Sequence, residues 1–148
     1  MKRINLLLIG LLIAGTALIS SCKKEAQIEK NLWKKGGEWN IVKVHYIQSS
    51  PNPDPDYNFE QTLYDYGTYT FNKDGSGNYT ITVEGDFESE SFTYSNTEET
   101  IKFIVFNQQL IYDIIEWEKD KMTIAYTESF ISNDNNVTST VTYNLEKK

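Results

Sequence analysis

The chain of 148 residues contains one cysteine, Cys22, one histidine, His45, and one arginine, Arg3. A lone thiol can form neither an internal disulfide nor a multi-cysteine zinc cluster, so the fold must be stable through its packed core. The lone histidine sits between Val44 and Tyr46 with no nucleophile at a telling spacing. It is read as structural, and the sequence offers no constellation for an enzyme. Beyond position 21 the basic residues are 12 lysines, set against 21 aspartates and glutamates. That balance argues against nucleic acid as a partner, and the lack of arginine argues against bidentate recognition of phosphate or carboxylate. Asp54 with Asp56, or Glu88 with Glu90, could be drawn as a carboxylate pair, but nothing in the sequence holds either at a working separation. A solvated acidic surface is the simpler reading.

Long apolar runs are also absent, with one exception. Leu6 to Ile19 follows Lys2 and Arg3 and is almost unbroken. As a helix, its 14 residues would rise about 21 Å, short of a hydrocarbon core of roughly 30 Å, so an export signal accounts for it better than a membrane span. Ile19-Ser20-Ser21-Cys22, at its end, resembles the lipobox of bacterial lipoproteins. The resemblance implies cleavage before Cys22 and acyl chains on its sulfur and nitrogen, which would tether an otherwise soluble domain to a membrane. The alternative is an ordinary secretory signal followed by an incidental cysteine. The expected location is a bacterial cell envelope, at the outer membrane, on its periplasmic face or at the cell surface. Lys23-Lys24-Glu25 is too short a segment to choose between those two. The division that follows is residues 1–21 as lipoprotein signal peptide, 22–35 as lipidated anchor, tether and short helix, and 36–148 as one folded domain.

The chain is rich in aromatic residues, and its 3 Trp, 10 Tyr and 7 Phe all lie beyond Cys22. Ile28, Leu32 and Trp33 recur at helical spacing before Gly36-Gly37, which predicts one short helix. From Glu38 onward the pattern is strand-like. The expected strands are Glu38 to Gln48, Tyr66 to Asn72, Asn78 to Glu84, Glu88 to Tyr94, Glu99 to Phe106, Leu110 to Glu118, Lys121 to Phe130 and Val137 to Glu146. Threonine alternates with bulky residues in several of them: Tyr69 and Phe71 with Thr68 and Thr70, Tyr79 and Ile81 with Thr80 and Thr82, Met122 and Ile124 with Thr123. One face is therefore apolar and the other wet. Ile104, Phe106, Ile111 and Ile115 add apolar groups to the second face, which the helix is expected to cover. Most connections are short enough to join antiparallel neighbours, including Asn72 to Gly77, whose calcium-loop likeness fails at Val83 where a bidentate Glu is needed. No metal or cofactor is expected. The exception among the connections is Ser49 to Asp65, where Pro51, Pro53 and Pro55 argue against regular pairing and for extended or turn conformations, and which is the place expected for any functional mobility. The fold class is all-β: an eight-stranded antiparallel up-and-down barrel with a short N-terminal helix.

Gly37-Glu38-Trp39 opens the first strand after a short helix, much as the GxW motif does in lipocalins. With Tyr69 to Gly77, Trp117 to Ile124 and the closing Tyr143 to Lys147, it resembles the lipocalin-like domains of small Gram-negative envelope lipoproteins over most of residues 36–147. A TDY-like motif and the late basic partner of lipocalins are missing. The resemblance implies binding of a small apolar or amphipathic ligand inside the barrel. The inward candidates are Trp39, Tyr69, Phe71, Tyr79, Ile81, Phe103, Tyr126 and Tyr143, which could equally fill a solid core. The alternative function is a non-enzymatic envelope module whose acidic face or proline-bearing loop meets a protein or glycan. If Cys22 is lipidated, a Cys22→Ser chain should leave the membrane fraction, and the exported wild-type protein should exceed its polypeptide mass by the acyl chains. An unmodified thiol on that protein would refute the tether.

Overall fold

The computed structural model describes residues 23–83 and 86–148. Cys22 and the apolar run before it lie outside the described residues, among which no helix is long and apolar enough to cross a membrane. Helix α1 spans residues 23–33 and passes into a 3-10 turn at Lys34–Gly36. Eight strands follow: β1 Glu38–Ser49, β2 Phe59–Phe71, β3 Ser76–Val83, β4 Asp86–Asn96, β5 Thr100–Val105, β6 Gln108–Trp117, β7 Lys121–Ser132 and β8 Asn135–Lys147. Each pairs antiparallel with the next, and β8 returns to β1, closing the barrel.

The connections follow from turn chemistry. Phe106-Asn107 and Asn133-Asp134 have positive φ at both residues, 50° and 63°, then 47° and 63°, the backbone that two-residue hairpins need. Asn72 to Gly75 is a hairpin turn in which Gly75 takes φ 82°, and the Asp74 carboxylate accepts from the Ser76 amide at 2.9 Å. That hydrogen bonding, first from the Ser76 hydroxyl, holds the Asp74 carboxyl below its usual value.

Strand β2 begins at Phe59, earlier than the expected Tyr66, because Phe59, Gln61 and Leu63 pair with Gln48, Tyr46 and Val44 of β1. The prolines end at position 55, and Pro55–Tyr57 forms a 3-10 turn capped by the Asp54 side chain. The loop that remains is tied down rather than loose. Asn58 Oδ1 accepts from the Ser50 amide at 2.9 Å, Asn52 Nδ2 donates to Asn135 Oδ1 at 3.0 Å, and Asn133 Nδ2 donates to the Tyr57 hydroxyl at 3.1 Å.

Helix α1 plugs one end of the barrel. Ile28, Leu32 and Trp39 are fully buried there, and Trp39 Nε1 donates to the Leu32 carbonyl at 2.9 Å. That carbonyl is one of the last-turn acceptors that a helix leaves unsatisfied, so one bond serves both partners. Asn31 reaches the Glu118 and Lys119 carbonyls, and Asn96 Nδ2 donates to Glu25 O at 3.1 Å, fixing the helix to the turns at this end. Gly37 makes the corner: its φ is 69°, and a Cβ there would lie 2.0 Å from the Phe71 carbonyl oxygen.

The helix therefore does not cover the outer face of β5 and β6 as expected. Ile104, Ile111 and Ile115 stay exposed at 40%, 47% and 59%, because the end of the barrel offers α1 both an apolar floor and the Trp39 donor. Leu32→Ala should cost about 2–5 kcal/mol. Ile111→Ala should change stability by less than about 0.5 kcal/mol. Urea unfolding of the two variants checks this; equal effects would contradict the placement of α1.

Candidate functional site

Above the plug, the interior is a layer of interlocked rings. Phe71 meets Tyr94 edge-on at 5.0 Å, Phe92 meets Phe103 at 5.1 Å, and Phe103 meets Tyr112 at 5.3 Å between centroids. Edge-to-face packing of this kind adds to area burial and fixes the rings. The Tyr94 hydroxyl donates to Asn72 O at 2.7 Å, and burial, with smaller contributions from Glu29 and Asp74, pushes it up to about 12. It acts as a latch on the β2–β3 turn.

Beyond this layer, toward the opposite end, the barrel holds a cavity of about 300 Å³. Strand alternation supplies its walls: Tyr66 and Tyr69 from β2, Tyr79 and Ile81 from β3, Phe92 from β4, and Phe103 and Val105 from β5. Gln108, Leu110 and Tyr112 from β6, Tyr143 from β8, and Phe106 in the β5–β6 turn complete it. The wall is incomplete between β4 and β5. The short β5 pairs with β4 only from Thr93↔Ile104 to Asn96↔Ile101, which leaves the first half of β4 unpaired on that side.

Of the residues expected to face a ligand, Tyr69, Tyr79, Ile81, Phe103 and Tyr143 line this cavity. Trp39 and Phe71 are buried nearer the plug, Trp39 committed to Leu32. Tyr126 is also outside the lining; it packs 5.5 Å from Tyr112 and donates its hydroxyl to Glu128 at 3.1 Å. Tyr66, Phe92, Val105, Phe106, Gln108, Leu110 and Tyr112 were not picked out from sequence. The even positions Leu110, Tyr112 and Ile114 carry the inward signal on β6, but the isoleucines at 111 and 115 obscure it. His45 is elsewhere, its Nε2 2.8 Å from Oε1 of Glu60, a diagonal neighbour on β2 whose register partner is Ile47.

The cavity lining carries no charged side chain. Burial raises the Tyr69 hydroxyl well above the usual tyrosine value, and its neighbours Tyr143 and Tyr112 add to the effect. Tyr112 and Tyr143 are raised in the same way, burial first, and sit with ring centroids 5.8 Å apart. Each hydroxyl therefore stays protonated through neutral pH and can donate as well as accept. The site can hold a small molecule by ring faces and neutral hydroxyls. It has no general base, nucleophile or cation in its lining.

No protein-family model matches the chain, and no curated protein does. Among solved structures, the chain is similar to a bovine odorant binding protein, a deswapped triple mutant. Identity is 13%, the TM-score is 0.42, and the match covers 76% of this chain and 72% of that one. The closed up-and-down barrel of eight antiparallel strands is an architecture that lipocalins share.

Raised hydroxyls make stability depend on alkaline pH. An unfolded tyrosine ionises near about pH 10, whereas folded Tyr69 and Tyr112 hold their protons higher, so the unfolded chain binds fewer protons above that pH. The contribution of these residues is fully present below about pH 10 and is lost as pH rises beyond it. Urea midpoints should fall above about pH 10, less steeply in Tyr112→Phe than in wild type. Tyrosinate absorbance from the cavity should appear only together with unfolding. A wild-type protein with full tyrosinate absorbance while still folded would contradict the burial.

Proposed function

We propose that this chain is a membrane-anchored, lipocalin-like lipoprotein of a bacterial envelope that binds a small apolar or amphipathic ligand inside its barrel. The observation that carries the binding role is the cavity of about 300 Å³, floored by close-packed rings and walled by tyrosines. Its volume lies at the lower end of the range for ligand sites, about 300–1,000 Å³. That size suits one aromatic or short amphipathic molecule rather than a long acyl chain. The tether rests on the Ile19-Ser20-Ser21-Cys22 sequence.

A second reading, a non-enzymatic interaction module, has one observation in its favour: the exposed Ile104, Ile111 and Ile115 on the outer face of β5 and β6. The two are separated by offering a hydrophobic fluorescent probe to residues 23–148, which contain every described element. Ligand binding requires saturable uptake that Tyr79→Trp or Phe103→Trp, by filling the cavity, reduces at least about tenfold, equivalent to about 1.4 kcal/mol. No uptake by a folded domain would favour the module.

A further inference from the structure

The lysines are concentrated at the plugged end of the barrel, where Asp120, Glu146 and Glu38 pair with three of them. Lysines 23, 24, 30, 34 and 35 lie in α1 and its following turn, 73, 119 and 121 in or beside turns at the plugged end, and 147 and 148 where β8 finishes. Lys43 and Lys102 complete the set beyond position 22. Lys102 alternates with the buried Ile101 and Phe103, which turns it outward, and neither lysine is in the cavity lining. Among the described residues, the opposite end has carboxylates without a lysine among them.

Some of those carboxylates stand on the inner face. On β4 the buried Phe92 and Tyr94 point inward, and the same alternation carries Glu90, Glu88 and Asp86 up to the mouth. The register agrees: Glu90 is opposite Tyr79 and Glu88 opposite Ile81, both of which line the cavity. The Tyr79 hydroxyl senses them, being raised by its own burial first and then by the charges of Glu90 and Glu88. This is also the stretch of β4 left unpaired on the β5 side.

We infer that the ligand is a small organic cation, an amine or quaternary ammonium carrying an apolar or aromatic body, drawn past Glu88 and Glu90 and seated among the rings of Tyr69, Tyr79, Phe103 and Tyr143. This rests on the reading of the cavity as a ligand site. Ring faces attract cations through their quadrupole, and neutral hydroxyl oxygens accept from the N–H groups of a protonated amine. Carboxylates at the mouth with no competing lysine raise the local concentration of cations and repel anions. An anionic ligand would meet only like charge at the entrance and no counter-charge within. A neutral ligand would leave the carboxylates without a part to play.

Three probes of similar size test this with the purified protein: benzyltrimethylammonium, its uncharged carbon counterpart neopentylbenzene, and phenylacetate, each competing with a neutral fluorescent probe bound in the cavity. The ammonium should displace the probe at a concentration at least tenfold lower than neopentylbenzene, and phenylacetate should be the weakest. In Glu88→Gln/Glu90→Gln, whose changes are at solvent-accessible positions, the preference should narrow to about threefold or less while the affinity for neopentylbenzene holds. Neopentylbenzene binding as well as the ammonium would overturn the cation assignment and leave the ligand site standing. An ammonium preference unchanged in the double variant would overturn the part assigned to the carboxylates. A folded protein that takes up none of the probes would overturn both this inference and the reading on which it rests.

Discussion

Strand β1 is hydrogen-bonded along both edges for almost its whole length, to β2 from Glu38↔Thr70 to Gln48↔Phe59 and to β8 from Trp39↔Lys147 to Ser49↔Thr138. Both pairings shift register between Ile41 and Lys43: against β8 the extra residue is in β1, and against β2 it is in β2 between Tyr64 and Gly67. Such bulges bend the strand that carries them and increase its twist. Once that seam is closed the sheet has no free edge along it, and every side chain must choose an inside or an outside. The interior is then a fixed volume to be filled, and what is left unfilled becomes the site.

The filling is graded along the axis. At one end Ile28, Leu32 and Trp39 leave no room, and Lys147 lays its ammonium 4.8 Å from the Trp39 ring centre. Burial and the nearby Lys35 and Lys34 pull that lysine's pKa down, with Asp120 opposing them. In the middle, Phe71, Phe92 and Phe103 interlock with Tyr69, whose ring lies 5.7–6.2 Å from those of Phe71, Phe92, Phe103, Tyr79 and Tyr143. Large residues pack well where their rings meet edge to face, but tyrosines end in hydroxyls that are costly to bury without a polar partner. Their concentration around the cavity, rather than in the plug, matches that requirement.

The barrel was legible because threonine marks the outer face of so many strands. Thr68 and Thr70 around Tyr69, and Thr80 and Thr82 around Ile81, state the period of two directly, and Asn and Asp mark the tight turns. The start of β2 was hidden because the prolines of the preceding loop suggested a longer irregular stretch. In fact their influence ends at Pro55, and Phe59, Gln61 and Leu63 alternate with polar residues only weakly. Helix placement could not be read from spacing, since Ile28 and Leu32 define an apolar stripe without saying which apolar surface receives it. That choice depends on a long-range bond from Trp39 to Leu32. Half of the site was obscured for a related reason. Tyr112 and Leu110 belong to a strand apolar on both faces, where alternation loses its contrast, and the inward position of Glu88 and Glu90 becomes meaningful only after β4 is registered against Tyr79 and Ile81.

Both ends of the described barrel chain leave from the plugged pole: α1 is bonded to the turns at residues 96 and 118–119, and Lys148 donates its amide to Glu38 O at 3.0 Å. A lipid on the residue just before α1 would thus stand the cylinder upright with its opening turned away from the bilayer that holds it. Cargo would be exchanged with the aqueous compartment at about a barrel's height above the headgroups, rather than drawn directly out of the leaflet beneath.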